Sequence, residues 1–526
     1  MPAAAAPFVS APAPVPAGAA ATVGPVPDPA EAARPVGLDA PDRTALAARR
    51  ARIGAWIAHL EAGLLERAAA VRLVLLAALA GEHVLLIGPP GTAKSELARR
   101  LHRALQGAPY FERLLTRFST PEELFGPLSL QALEADRYER LTRGFLPEAG
   151  VAFLDEVFKA NSAILNTLLT LLNEREFDNG SGRQATPLVT VVGASNEGPL
   201  DEGLQAFHDR FLLRVPVAPV GEESFAALLA LPAGAAMPVA SAPAAWTPQE
   251  RQALAAAAQQ VVLSPAFVQA CLALRRWLAA QGRQLSDRRW RQCTGLLRVS
   301  AAAEGRTALD ELDLWLAPYV AASQPQEVPD LIDWWVGDCL QARPQEAAWL
   351  TRAVEAFERQ LELETSARDD AQGQDAAGKL ALARAIGGAQ AAEPSGGMRM
   401  LSAALEVQTR RHYSPVHVAA RVAQVEEVLA QLQPALAQAE AGAAALAQRL
   451  ADRLWWPPAL GEQVLAGPRR TVAVLQALAD RLAATRQGFA SLPLRPDVPQ
   501  ALAQDDPGAS PATPAALPPP PVAWVA

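Results

Sequence analysis

Short apolar runs alternate with longer amphipathic stretches through the first part of the chain. The runs lie at residues 84–88, 111–118, 151–156 and 188–196, and the intervals between them have helical spacing. Strands that alternate with helices favour a layered α/β fold built on a parallel sheet. We therefore predict an αβα domain over residues 43–220.

The pattern changes after Val220, where runs of the strand type stop. A capping box with proline at the first helical position begins at Thr247, and Ser264 and Ser286 are candidate caps of two further helices. Residues 221–322 are therefore predicted to form a separate all-helical domain.

The last third of the chain has heptad-like spacing. Apolar positions recur at alternating intervals of four and three residues over 418–450, and another apolar stripe runs over 475–482. Such seams predict long packed helices, so residues 323–492 are expected to form an elongated helical hairpin or triple-helical arm. Pro434 predicts a kink that costs about 3 kcal/mol unless packing compensates. Residues 366–397, rich in Asp, Gln, Ala and Gly, are expected to be a flexible linker.

Composition and charge narrow the class of protein. Among 526 residues, 50% are hydrophobic but only 6% are aromatic, which favours helices over β-sandwiches. Three distant cysteines exclude a disulfide scaffold, and a net charge of −8 disfavours a general nucleic-acid binder. The Ala/Pro-rich segments 1–42 and 493–526 are expected to be disordered tails. Neither a signal peptide nor a membrane span is expected, so a cytoplasmic protein is predicted.

One octapeptide between the first strand and the next helix has the pattern of a phosphate-binding loop. Glycines let the backbone turn its N–H groups toward phosphate oxygens, and the helix N-terminus adds positive potential. The lysine would bridge the β and γ phosphates of ATP, and the serine hydroxyl would bind Mg²⁺. The alternative is an ordinary Gly/Pro turn between the strand and the helix that contains a lysine by chance. The candidate nucleotide-binding residues are Gly88, Pro89, Pro90, Gly91, Thr92, Ala93, Lys94 and Ser95.

Polar side chains end the third and fourth predicted strands of the core. Asp155 and Glu156 follow a buried run, and Asn196 ends the run over 188–196. A carboxylate at such a strand end can complete the Mg²⁺ shell together with Ser95, and its neighbour can orient or deprotonate a water. Taken alone, the two acids usually mark a solvated strand end, and the asparagine commonly marks a turn.

With these residues in place, the chain resembles the AAA+ ATPases of the MoxR group, and within it the RavA-like branch. The resemblance covers about residues 43–322. It rests on an ordered series of motifs: GEHVLLIGPPGTAKS (81–95), TRFSTPEELFGPLSLQAL (116–133), LPEAGVAFLDEVFKANSAILNTLLTLLNER (146–175), VVGASNE (191–197), DRFLLR (209–214) and LSDRRW (285–290). It implies a P-loop NTPase core, an all-α lid and a C-terminal helical arm.

The resemblance also implies a role for each matching residue. Glu156 would be the catalytic base and Asn196 sensor 1, with Asp155 in the Mg²⁺ shell. Arg210 would be an arginine finger that reaches the neighbouring subunit's nucleotide. Arg288 would be sensor 2 on the lid, with Arg289 as the next candidate. Without the motifs, the two arginines would be interpreted as a surface ion pair and a helix-start residue.

The resemblance further implies a hexameric ring with two insertions that handle substrate. Residues 137–145 and 177–184 match their positions, and Asn179-Gly180 is typical of a hairpin turn. Both segments would otherwise be plain β-hairpins that close the domain. The interval 366–413 is short for a RavA-type β-rich insertion, so binding of a lysine decarboxylase is not expected.

The leading hypothesis is an ATP-driven remodeller that works with a von Willebrand factor A (vWA) domain protein to mature or activate enzyme complexes. A second hypothesis is a nucleic-acid-directed AAA+ motor, which the acidic balance and the scarcity of lysine disfavour. A third is an adaptor that binds ATP without turnover, which the intact Lys94, Asp155, Glu156 and Asn196 disfavour.

Overall fold

The computed structural model describes residues 40–180, 182–198, 204–231, 242–345, 347–367 and 411–495. Most of the predicted tails and most of the predicted linker lie outside these ranges, as do residues 398–408. In the part of the chain that is described, no helix is both long and apolar enough to cross a bilayer.

Helices make up most of the described chain. In chain order they are Ala40–Glu61 (α1), Ala68–Ala80 (α2), Lys94–Leu101 (α3), Pro121–Phe125 (α4), Leu130–Glu134 (α5), Ser162–Glu174 (α6), Gln205–His208 (α7), Glu222–Leu229 (α8), Pro248–Gln259 (α9), Pro265–Ala280 (α10), Asp287–Glu304 (α11), Ala317–Ala321 (α12), Glu327–Trp334 (α13), Ala348–Ser366 (α14), Pro415–Ala451 (α15) and Pro458–Ala490 (α16).

The strands form one main sheet and two small pairs. They are Val84–Ile87 (β1), Tyr110–Leu114 (β2), Val151–Asp155 (β3), Glu176–Asp178 (β4), Arg183–Ala185 (β5), Thr190–Ser195 (β6), Leu213–Pro216 (β7), Val262–Leu263 (β8) and Ala308–Leu309 (β9). The main sheet has the order β2-β3-β6-β1-β7 and all its neighbours are parallel. This confirms the predicted parallel α/β core.

Parallel pairing brings the carboxyl ends of all five strands to one edge of the sheet. Ile87 lies opposite Ser195, and Leu154 lies opposite Gly193. The loop after β1, the end of β3 and the end of β6 therefore meet at the edge where open α/β sheets bind their ligands.

Strand β7 is a strand that the sequence pattern does not predict. Arg214 interrupts its apolar run, yet Arg214 is buried and its Nη1 donates a hydrogen bond to the Ala322 carbonyl 3.0 Å away. Because the fold supplies a hydrogen-bond acceptor for Arg214, a buried strand can contain this charged residue, and the apolar pattern of the sequence alone does not predict it. The prediction that strands stop after Val220 is also wrong in detail, since β8 and β9 pair in parallel.

The chain divides into two compact units. The first contains residues up to 343 together with 445–466, and the second contains 344–444 and the residues from 467 onward. The boundary thus differs from the predicted one at residue 322, because α13 and the buried Trp335 continue the first unit.

Buried ion pairs explain why 445–466 belongs to the first unit rather than to the predicted arm. Arg453 donates to Asp313 Oδ1 at 2.7 Å and to Asp310 Oδ2 at 2.5 Å, and the Leu454 N–H donates to Glu304 Oε1 at 2.6 Å. Asp313 and Glu304 are almost fully buried, so they require these partners.

The second unit has its own hydrophobic core. Side chains of α14, α15 and α16 meet there, with Val354, Val425, Leu432, Leu482 and Phe489 fully or almost fully buried. The heptad-like seam thus predicts packed helices correctly, and α15 continues through Pro434.

Candidate functional site

The candidate phosphate-binding loop joins β1 to α3. Gly91 and Ala93 have left-handed backbones, with φ of 80° and 65°, and Lys94 begins α3 immediately afterwards. Left-handed residues in such a loop produce the concave backbone that binds anions. Ala93 adopts this conformation with a side chain, which costs about 1–2 kcal/mol relative to an ordinary backbone.

Gly88 serves a different purpose from the one expected. Its φ is not in the left-handed region, and its N–H donates to the Ser195 carbonyl at 3.0 Å. A Cβ at this position would lie 2.0 Å from the Val217 carbonyl oxygen. Glycine is therefore required because two chain segments approach closely, and this approach fixes the start of the loop.

Lys94 is buried against the loop that it follows. Its Nζ donates to the carbonyls of Gly88 at 2.7 Å and Pro89 at 2.8 Å. Burial lowers the pKa of Lys94, and the nearby Asp155 and Glu156 oppose that shift. The ammonium thus lies between the loop and two carboxylates, where one more anionic ligand would be attracted to it.

The end of β3 brings together three predicted site residues, the base Glu156, sensor 1 Asn196 and the Mg²⁺-shell residue Asp155. Glu156 has a left-handed backbone, φ 53°, and its N–H donates to Asp155 Oδ1 at 3.0 Å. Asn196 Nδ2 donates to Glu156 Oε1 at 2.5 Å, and Lys159 Nζ lies 3.2 Å from the same oxygen. The predicted base and sensor are therefore in contact, and Lys159 joins them although sequence reasoning gave it no role.

Arg67 is a further residue that sequence reasoning missed. It is buried at the start of α2, where its Nε donates to the Thr92 carbonyl at 3.2 Å and its Nη2 to the Ala218 carbonyl at 2.7 Å. Its neighbour Glu66 accepts the Gly221 N–H at 2.9 Å. These bonds tie the phosphate-binding loop to the chain after β7. A lone arginine near a helix start carries no sequence signal for this role.

Arg210 and Arg288 lie at the opposite edge of the sheet from Lys94. Arg210 precedes the amino end of β7, and Arg288 hydrogen-bonds the Asn173 side chain near the end of α6. Burial lowers the pKa of Arg210, and the charge of Arg288 lowers it further. The structure therefore places the two arginines near each other but does not bring them to the phosphate-binding loop of the same chain.

Arg289, the other sensor 2 candidate, is only 3% exposed. Both of its terminal nitrogens donate hydrogen bonds to backbone carbonyls of the same chain. A side chain occupied in this way is not free to contact a nucleotide, so that role is not supported for Arg289.

The two predicted insertions contact each other. Asn179 Oδ1 accepts the Arg140 N–H at 2.7 Å, and a Cβ on Gly180 would lie 1.9 Å from the Tyr138 carbonyl oxygen. Strands β4 and β5 form the expected hairpin, whereas residues 137–145 do not, since only an isolated bridge joins Arg140 to Leu128. Tyr138 and Leu141 remain 51% and 55% exposed on this joint surface.

Comparisons with known proteins agree with this geometry. A family model described as the MoxR domain in MoxR–vWA–β-propeller ternary systems matches residues 51–254, and an AAA lid domain model matches residues 267–334. The fold and site thus define a P-loop protein of the AAA+ class.

Several curated relatives are similar to this chain. An uncharacterised protein of Methanocaldococcus jannaschii is 37% identical over 51% of this chain and 71% of its own length. A second uncharacterised protein of that organism is 50% identical over 30% of this chain and 41% of its own length. Protein MoxR of Paracoccus denitrificans is 32% identical over 32% of this chain and 52% of its own length. The chain belongs to the MoxR family of AAA+ ATPases.

Members of this class bind a nucleotide with a divalent metal, and the residues at the carboxyl edge fit both. Gly91 has open space where a side chain would lie, because a Cβ there meets no heavy atom of the described chain within 4 Å. Lys94 supplies a buried cation beside it, and Ser95 and Asp155 supply the oxygen ligands that Mg²⁺ prefers.

Proposed function

We propose that this protein is an ATP-hydrolysing remodeller that works as a ring. The observation that carries the proposal is the contact of Glu156 with Asn196, at 2.5 Å, beside the buried Lys94. An adaptor that only binds nucleotide needs a phosphate-binding loop but does not need a carboxylate held by a sensor.

Each residue has a definite task in the proposed reaction. Lys94 and the loop N–H groups bind the β and γ phosphates, and Ser95 and Asp155 hold Mg²⁺, which neutralises phosphate charge when it is bound. Glu156 accepts a proton from the attacking water as the water oxygen bonds to the γ phosphorus. The bond from that phosphorus to the leaving oxygen of ADP breaks, and inorganic phosphate leaves.

Asn196 and Lys159 fix the orientation of the base in this scheme. Both contact Oε1 of Glu156, which leaves Oε2 free among the side-chain bonds of the described residues to face the water.

The positions of Arg210 and Arg288 support a ring. An arginine at the amino edge of the sheet serves no nucleotide on the carboxyl edge of its own chain, but it suits a nucleotide held by a neighbouring copy. We propose that both arginines act in trans, Arg210 as the finger and Arg288 as sensor 2, in a hexamer as the family resemblance implies. Hydrolysis would then depend on assembly.

The partners proposed are a vWA-domain protein and a β-propeller protein. The support is the description of the matching family model, which names a ternary system of these three parts. The half-exposed Tyr138 and Leu141 of the joined insertions offer an apolar surface for a client enzyme complex. Placement within the RavA-like branch stays a prediction from the motifs.

A trapping experiment tests the proposed function. Glu156→Gln keeps the shape and the oxygen that Asn196 contacts, so this variant should bind Mg-ATP yet hydrolyse it about 10²–10⁴-fold more slowly. We would purify tagged Glu156→Gln from the native host in Mg-ATP, with Lys94→Ala as the matched control that cannot hold nucleotide. Co-elution of a vWA-domain protein with Glu156→Gln alone would support the proposal.

Two results would contradict it. Recovery of nucleic acid and DNA-processing proteins would favour the motor hypothesis instead. Equal ATP turnover by the parent and Glu156→Gln would show that this carboxylate is not the base.

A further inference from the structure

Arg289 makes an unusual number of bonds for one side chain. Its Nη1 donates to Asp209 Oδ1 at 3.0 Å and to the carbonyls of Asp209 and Phe211 at 3.2 and 3.3 Å. Its Nη2 donates to the carbonyls of Leu212 at 2.9 Å and Val320 at 2.7 Å. One buried guanidinium therefore bonds the backbone on both sides of Arg210.

The bonds join two parts of the first unit. Arg289 lies in α11 and Val320 in α12, both in the helical lid, whereas residues 209–212 belong to the αβα core. Asp209 also lies 3.6 Å from Arg214 as an ion pair, so its carboxylate is shared by two buried arginines. The segment that carries the predicted finger is thus held from the lid by charge-assisted bonds.

The neighbouring arginine behaves differently. Arg288 is exposed and its side chain donates a hydrogen bond to the Asn173 side chain, whereas Arg289, one position later, is buried. Burying a guanidinium is costly unless its donors find acceptors, and here the acceptors are mostly carbonyls of one short segment. A lysine at this position could not reproduce the planar fork.

We propose that Arg289 is a positioning residue that sets the backbone of residues 209–212, and hence the aim of Arg210, according to the position of the lid. This inference rests on the proposed function, since it assumes that Arg210 completes the nucleotide site of the neighbouring subunit. A change in lid angle in one subunit would move its arginine finger, and so would change hydrolysis in the next subunit.

Arg289→Gln tests this inference. The substitution removes most of the donors, and because a displacement of about 1 Å in a catalytic group costs on the order of 10²-fold in rate, we expect a loss of that size in ATP turnover. Nucleotide binding should stay within about twofold of the parent, because Lys94 and its loop are at the other edge. Arg276→Gln, an exposed arginine of α10, is the matched control and should turn over ATP normally.

Mixing subunits separates positioning in trans from damage to the subunit itself. Arg289→Gln has an intact phosphate-binding loop, and Glu156→Gln has an intact finger. In an equal mixture about one interface in four combines the two intact parts, so activity should recover to about a quarter of the parent. Arg210→Ala mixed with Glu156→Gln should recover in the same way.

The outcomes are distinguishable. If ATPase activity recovers when Glu156→Gln is mixed with Arg210→Ala but not when it is mixed with Arg289→Gln, the positioning role is overturned and the trans finger is still supported. Recovery with neither would overturn the trans finger and this inference with it. Should Arg289→Gln fail to fold, as judged by circular dichroism, Asp209→Asn replaces it, since it weakens the same anchor while leaving the carbonyl bonds. Asp209→Asn should lose less ATP turnover than Arg289→Gln, and mixing it with Glu156→Gln should restore activity in the same way. If that mixture restores no activity, the inference is overturned.

Discussion

Gly88→Ala is the substitution whose effect the structure specifies most directly. The added Cβ would lie 2.0 Å from the Val217 oxygen, whereas a carbon and a carbonyl oxygen in contact need about 3.3 Å. One of the two segments must therefore move by about 1.3 Å. Neither segment moves freely, because the Val217 N–H bonds the Ile87 carbonyl at 2.8 Å and the Gly88 N–H bonds the Ser195 carbonyl.

This displacement has two expected costs. Overpacking of this kind lowers the free energy of unfolding by about 1–3 kcal/mol. The Gly88 carbonyl also accepts a hydrogen bond from Lys94 Nζ at 2.7 Å, so a shift of Gly88 would displace the lysine side chain. A shift of about 1 Å in a phosphate-binding group costs on the order of 10²-fold in rate, or about 2.7 kcal/mol of transition-state stabilisation.

Three measurements test Gly88→Ala. Thermal melting reports stability, titration with a fluorescent ATP analogue reports binding, and phosphate release reports turnover. Gly442→Ala in α15 is the control, because its added Cβ meets no described heavy atom within 4 Å. A helical glycine replaced without contact should gain about 0.5–1 kcal/mol. If Gly88→Ala melts, binds and turns over like the parent, the close approach does not matter and the reasoning fails.

Two further predictions concern stability. Ala93→Gly relieves a left-handed alanine with φ 65° and should raise the free energy of unfolding by about 1 kcal/mol, measured by denaturant titration; a lower value would contradict the strain. His83 accepts the Val191 N–H on Nδ1, and burial holds its pKa well below 6.5. The unfolded chain alone then takes up this proton, so stability is lost as the pH falls below 6.5, by about 1.4 kcal/mol between about pH 7.5 and about pH 5.5. His83→Gln, compared with the parent at each pH, should lack this dependence, and an unchanged slope would contradict the assignment.

The sequence alone determined the fold class and the carboxyl-edge candidates. Apolar runs of strand length between helical stretches fix a parallel sheet, and a parallel sheet brings Lys94, Asp155 and Asn196 to one edge whatever the details of packing. The pattern missed β7, because pattern reasoning counts Arg214 as exposed while the fold supplies a carbonyl to bury it.

Only the tertiary structure decided which residues support the site and where the arginines lie. Arg67 is defined by partners 25 and 151 positions away and Arg289 by partners up to 80 positions away, and such long-range bonds leave no periodic trace in a sequence. The adjacent arginines Arg288 and Arg289 show the limit most clearly. Two identical side chains differ because a helix turns about 100° per residue, so one faces solvent and the other faces the core.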